Sequence, residues 1–375
     1  MGSEMCIRDS LIIHLNFAEV AAGLDDYKDG LDNHCRLVFN FFCDIYAHIL
    51  PANTKEGMEK LTDAVSQLRF LCQKCQEVGK KIYLFIDEYD NFTNMILAHE
   101  EHLMRYRNQT HGEGYLRQFF NTIKGAAGNT LGRVFVTGVS PVTMDDLTSG
   151  FNIGTNYSLS PKFNEMTGFT EEEVREMLDY YRSVLPFNHT TDELIKVMKP
   201  WYDNYCFAKD SLDSDPKMFN CDMVLYYLRN YIDGGKAPEQ MIDPNTRTDY
   251  NKMKKLIQLD RLDGDRKGVL RRITEEGRIV ADLVTSFPAR DIIKPEIFPS
   301  LLFYYGMLTI VGTDGQRPVL GIPNNNVRKQ YYDFMLEEYQ EKHSINLERL
   351  MDQFDAMAYN CLLYTSPSPR DPKTS

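Results

Sequence analysis

The 375-residue sequence holds a single Trp and eight Cys. It has no apolar run near the roughly 20 residues that a membrane-crossing helix needs. The longest early run, Leu11-Ile12-Ile13-His14-Leu15, is interrupted by His14 and is too short for the core of a secretory signal. The cysteines fall into no paired framework, so reduced thiols in a cytoplasmic setting are expected. Positive charge is scarce as well: 42 Lys+Arg stand against 54 Asp+Glu, a net charge of −12. Non-specific nucleic-acid binding is disfavoured, because phosphate neutralisation needs clustered cations, and a local patch is the route left open. Core-forming residues are plentiful, with 43% hydrophobic and 12% aromatic. That excludes a disordered chain, and the length suits two or three domains.

Both ends depart from the interior. Residues 1–10 have no periodicity, and residues 361–375 form a Ser/Pro tail after a helical pattern that has no stop signal. Both strings resemble translated adapter sequence, so they are expected to lie outside the fold, and the chain between them to be an internal piece of a longer protein. Within it, 11–17 reads as a buried strand. Residues 32–50 read as a helix with Leu37, Phe41, Ile45 and His48 on one stripe. Residues 56–78 read as a second helix, stopped by Gly79. Strands follow at 82–86 and 133–139, separated by a helix from about 114 to 124. The alternation of strand and helix predicts an α/β fold with a parallel sheet. Thr170–Glu173 and Thr190–Glu193 carry capping-box spacing, and the chain is expected to be helical from there to about Tyr231. A Gly/Pro-rich linker at 233–238 precedes a last third that reads as helix, two short strands around Gly312 and Gly315, and helix from Asn326.

The segment Ile82-Tyr83-Leu84-Phe85-Ile86-Asp87-Glu88 carries the chemistry. It is an apolar strand ending in two adjacent carboxylates. In a parallel sheet the strand carboxyl ends face the ligand crevice. There a carboxylate can hold Mg²⁺ beside nucleotide phosphates, and its neighbour can orient and deprotonate water. This is the Walker B arrangement, with Asp87 on magnesium and Glu88 on the catalytic water. The bland reading is a strand ending in a solvated acidic turn. Asp90 is expected to bond the turn after the strand. At the end of the next strand, Thr137 and Ser140 are candidates to sense a γ-phosphate, against the plainer reading of a satisfied hydroxyl. Arg133 is a candidate to reach the phosphate of a neighbouring subunit, against a solvated strand end. Two other classes stay open: a regulatory protein with vestigial carboxylates, and a metal-dependent hydrolase using Asp87, Glu88 and Asp90 without nucleotide.

Three further stretches extend the pattern. These are Phe135-Val136-Thr137-Gly138-Val139-Ser140-Pro141-Val142, Gly168-Phe169-Thr170-Glu171-Glu172-Glu173-Val174 and Trp201-Tyr202-Asp203-Asn204-Tyr205-Cys206-Phe207. With Leu84–Asp90, Gly306-Met307-Leu308-Thr309-Ile310 and Ile322-Pro323-Asn324, they resemble the AAA-ATPase-like family of bacteria and some archaea over about 11–345. The usual Gly and Arg of the aromatic segment are replaced by Asn204 and Cys206. The resemblance implies a P-loop NTPase sheet with helices on both faces over 11–160, a helical lid over 161–235 and a winged-helix-like module over 236–345. A linker would begin over 346–360. It further implies ATP and Mg²⁺ as ligands, homo-oligomers, no membrane association, and nucleic-acid contact only through a nuclease-like C-terminal domain.

Other constellations have plain readings. Cys72 and Cys75 sit on a helix stripe and suit packing better than zinc. His99, His102 and His111 lie in a polar stretch. Lys252, Lys254, Lys255, Arg261, Arg266, Lys267, Arg271 and Arg272 interleave with acids as solvated helix positions.

The sequence contains no Gly-x-x-x-x-Gly-Lys-Ser/Thr. That loop cradles phosphates with backbone N–H groups. In the implied fold its strand lies beside the strand at 133–139, with a further strand near Tyr157. An exposed apolar groove is therefore expected, and this chain should not bind Mg-ATP in the low-micromolar range. Isothermal titration calorimetry checks this, and micromolar binding would overturn it.

Overall fold

Among the described residues, three strands define the first half: β1 (Ser10–Asn16), β2 (Lys81–Asp87) and β3 (Leu131–Val136). They pair in parallel in the order β1-β2-β3. The computed structural model describes residues 10–20, 26–91, 114–141, 154–213, 217–243, 266–287, 291–292 and 294–343. Residues 1–9 and 344–375, His99, His102, His111, Lys252, Lys254, Lys255 and Arg261 lie outside them. The helices α1 (Tyr27–Ile45), α2 (Thr54–Glu59) and α3 (Ala64–Glu77) connect β1 to β2, and α4 (Tyr115–Ala126) precedes β3.

Leu11, Ile13, Leu15, Ile82, Leu84 and Ile86 alternate along β1 and β2 and are buried. The opposite face was expected to be covered too. Instead Ile12 and Phe135 are 45% and 43% exposed, and Tyr83 and Phe85 are half-buried. The strand order gives the reason. Parallel crossovers are right-handed, so strands added in one direction send all their helices to the same face. The described strands never reverse direction. Tyr157, expected on a further strand, lies in irregular backbone and is 51% exposed.

The stripe expected on α1 is the solvent face: Leu37, Phe41 and Ile45 are 69%, 66% and 48% exposed, and His48 is exposed beyond the helix end. The buried stripe is Tyr27, Leu31, Cys35, Phe39 and Phe42. Both sets have helical spacing; the second begins five residues before the expected start and is the longer. The helix expected over 56–78 is two helices. Asp63 ends the gap between them by accepting from Ser66 N at 2.8 Å. The buried Asp32 of α1 then ties three elements: its Oδ1 accepts from Ala64 N of α3 at 2.7 Å and from the Tyr115 hydroxyl of α4.

The second half begins with α5 (Glu171–Val184), α6 (Thr191–Tyr202) and α7 (Cys221–Gly234). They share one core of Val174, Leu178, Leu194, Met198, Tyr227 and others. Both capping boxes are formed. Helix is not continuous to Tyr231, because the chain leaves α6 at Asp203 and Asn204 takes φ +79. Asn is among the few residues that enter this left-handed region readily, which accounts for its standing in the glycine position of the aromatic segment.

Next come α8 (Arg266–Glu276), β4 (Arg278–Val280), α9 (Phe298–Tyr304), β5 (Thr309–Asp314) and β6 (Arg317–Gly321). The three strands form an antiparallel sheet in the order β4-β6-β5. Arg266 is not a solvated position. It is buried, donates to the Ile292 carbonyl at 3.0 Å and lies over the Phe298 ring. α10 (Asn325–His343) runs into a second unit that starts at Val327.

The two stripes of α1 separate in a stability test. Phe39→Ala should cost about 3–5 kcal/mol as a large-to-small core change. Leu37→Ala should stay within about 0.5 kcal/mol, as an exposed change does. Chemical denaturation of the two variants checks the assignment.

Candidate functional site

The parallel register sets the site. Asn16 of β1 lies level with Asp87, the last residue of β2, and Ile86 lies level with Val136 of β3. Pairing continues past the strand ends: Thr137 N donates to Ile86 O at 2.9 Å and Tyr89 N donates to Thr137 O at 3.0 Å. Thr137 is thereby held against Asp87, whose Oδ1 accepts from the Thr137 hydroxyl and from Glu88 N at 3.0 Å. Among the described residues nothing donates to Asp87 Oδ2.

Glu88 is half-buried and has φ +51. A side chain other than Gly is uncommon in this region, and such backbone clusters at functional sites.

The backbone beyond Asn91, where Asp90 was expected to bond the turn after β2, lies outside the described residues. Asp90 is 3% exposed and spans to the loop after β3. Its Oδ1 accepts from Val139 N at 3.1 Å, and its Oδ2 accepts from Ser140 N and Ser140 Oγ, each at 2.6 Å. The two hydroxyl candidates are thus separated: Thr137 is on Asp87 and Ser140 is buried on Asp90. Arg133 is exposed and pairs in register with Tyr83. That is four residues back from Asp87, about 13 Å along the strand at the usual rise. The structure does not bring Arg133 to the carboxylates.

Three further residues shape this site: Tyr89, Asn91 and Gly138. The Tyr89 hydroxyl donates to Ser140 O at 2.9 Å, and burial, with Asp90 nearby, pushes this phenol above its ordinary range. Asn91 Nδ2 donates to Phe17 O at 3.1 Å, tying the turn to the segment after β1. Gly138 approaches so closely that a Cβ would lie 2.4 Å from Asp90 Oδ1 and 2.5 Å from the Tyr89 ring. A glycine directly after a strand-ending Thr was the available signal for it.

The donor set fits one magnesium ligand. Mg²⁺ is held by one or two carboxylates while water and phosphate fill the rest of its shell. Asp87 supplies such an oxygen. No group of three or more His, Cys, Asp or Glu among the described residues could hold a metal alone. The nucleotide-independent hydrolase loses its third carboxylate, since both oxygens of Asp90 are engaged. The Cys72 and Cys75 thiols are buried, and that burial pushes their pKa values up to about 11 and about 12. They are packing groups, because reactivity needs the thiolate.

Residues 5–148 match the AAA-ATPase-like family, described as Predicted AAA-ATPase. This part of the chain is similar to that family. The match takes in the whole β1-β2-β3 sheet and all of Asp87, Glu88, Arg133, Thr137 and Ser140. No curated protein matches the chain. Among the described residues no helix is long and apolar enough to cross a membrane.

Gly138→Ala should cost about 1–3 kcal/mol, as an overpacked position does, since its Cβ meets Asp90 and Tyr89. Thermal unfolding against wild type measures it.

Proposed function

We propose that the AAA-ATPase-like segment carries the cation and water residues of an ATP-hydrolysing site. The observation that carries this reading is the Thr137 hydroxyl on Asp87 Oδ1 at the aligned carboxyl ends of two parallel strands. In this reading Asp87 offers Oδ2 to Mg²⁺. The ion, when bound with the nucleotide, supplies charge neutralisation to the transferring phosphoryl group. The Glu88 carboxylate orients the attacking water and takes its proton. Thr137 holds the Asp87 carboxylate and lies where a γ-phosphate is sensed. Ser140 serves that loop through Asp90 rather than the phosphate directly. Arg133, exposed on the open sheet face, is assigned to the phosphate of a neighbouring copy. The α5–α7 cluster is read as a lid. The β4-β6-β5 sheet with α8 and α9 is read as a winged-helix-like module, supported by its helix, hairpin and strand order.

A second reading is favoured by one observation: the sequence has no Gly-x-x-x-x-Gly-Lys-Ser/Thr. It makes the chain a non-hydrolysing regulatory or interaction protein with retained carboxylates. Steady-state hydrolysis at millimolar Mg-ATP, by a protein that joins this segment to a phosphate-binding loop, separates the two. Under the first reading, Glu88→Gln lowers the rate by about 10²–10⁴-fold, the usual size of a general-base contribution, and ATP retained in equilibrium dialysis does not fall. Under the second, neither wild type nor variant hydrolyses ATP.

A further inference from the structure

Asp90 has the charge of a third site carboxylate, yet both of its oxygens are committed to the loop after β3. An ionised carboxylate only accepts, and it can take several donors at once. Here it takes Val139 N, Ser140 N and Ser140 Oγ at 3.1, 2.6 and 2.6 Å. Tyr89, next in sequence, grips the same loop at both ends: its N–H donates to Thr137 O at 3.0 Å and its hydroxyl to Ser140 O at 2.9 Å. Gly138 lies between these holds, with room for no side chain against Asp90 and Tyr89. Thr137 is therefore fixed from its amino side by β3 and from its carboxyl side by Asp90.

We propose that Asp90 is a positioning residue: by holding the backbone of Val139 and Ser140 it keeps the Thr137 hydroxyl on Asp87 Oδ1. Asp87 then presents Oδ2 as the oxygen for a divalent cation. Only this last step rests on the cation reading given above. The first step concerns a side-chain rotamer and stands without any ligand.

Asp90→Asn keeps the volume and sets an NH₂ or a weaker acceptor where Ser140 N–H needs a carboxylate. In the isotopically labelled full chain, three-bond couplings to Thr137 Cγ2 report its χ1. Wild type should show one rotamer. Asp90→Asn should show averaged couplings, with amide exchange at Ser140 at least tenfold faster. Should Asp90→Asn fail to fold, Ser140→Ala removes one of the three donors and should show the same changes in smaller degree. Mn²⁺ alone is then the probe of the second step, read by broadening of the Asp87 and Glu88 amide signals. Asp90→Asn and Thr137→Val should each need at least threefold more Mn²⁺, and the double variant no more than either. A merely structural role would instead add the two losses, which overturns the proposal. Unchanged Thr137 couplings in both Asp90→Asn and Ser140→Ala overturn it outright. If Mn²⁺ leaves the wild-type signals sharp, the cation step and the reading behind it fall together. The couplings alone then decide whether Asp90 positions Thr137.

Discussion

Between Ser10–Lys81 and Asn16–Asp87 the pairing of β1 with β2 stays in register for the full length of both strands, and the site depends on that alignment. Parallel strands of matched length finish together, so their last residues share one edge of the sheet. β3 joins with one irregularity near Ile82 and Tyr83 and still brings Val136 level with Ile86. A slip of one residue would turn Asp87 to the other face, because strand side chains alternate. It would also part Thr137 from the Asp87 carboxylate that it bonds. The same one-directional order explains why Ile12 and Phe135 stand exposed while Leu84 and Ile86 are buried. Site and open face are two consequences of one topology.

The turn after β2 turns alignment into a fixed site. Residues 88–91 reach both neighbouring strand ends, through Asn91 to Phe17 on one side and through Tyr89 and Asp90 to the 137–140 loop on the other. Most of these partners are backbone groups. A backbone partner has less freedom than a side chain, so each hydrogen bond settles a position rather than a range. This also explains the left-handed Glu88: the chain must reverse within one residue of the strand end to deliver Tyr89 N to Thr137 O. The surrounding bonds over-determine that conformation, and such strain persists only where they do.

Much of this was legible in the sequence where the signal is local. The strand 82–86 is an unbroken apolar run and is observed as Lys81–Asp87, while both capping boxes are read from four residues each. Asn204 was visible as a departure from glycine, and its φ of +79 shows why the departure is tolerated. What failed was non-local. Two apolar stripes on α1 obey the same periodicity, and only packing decides between them. The break at Asp63 depends on Asp32 and Tyr115, which meet the start of α3 from other helices. Local bonding is the usual habit of Asp after a strand, yet Asp90 also takes partners 49 and 50 residues on. No spacing rule encodes a contact of that separation.

The charge of the site bears on what it can select. Asp87, Glu88 and Asp90 lie within four residues of one another in a chain of net charge −12. A bare triphosphate would meet repulsion there, because like charges a few ångströms apart oppose each other strongly away from bulk water. A divalent cation between carboxylate and phosphate reverses the sign of that interaction. On the proposed reading, then, the carboxylates contribute little to holding nucleotide as such and much to distinguishing its metal-bound form. Affinity for phosphate has to come from oriented N–H groups and cations, which strand-end carboxylates do not provide. The two tasks fall to different parts of such a site. A residue that only positions a carboxylate oxygen can therefore tune metal selection without altering phosphate binding.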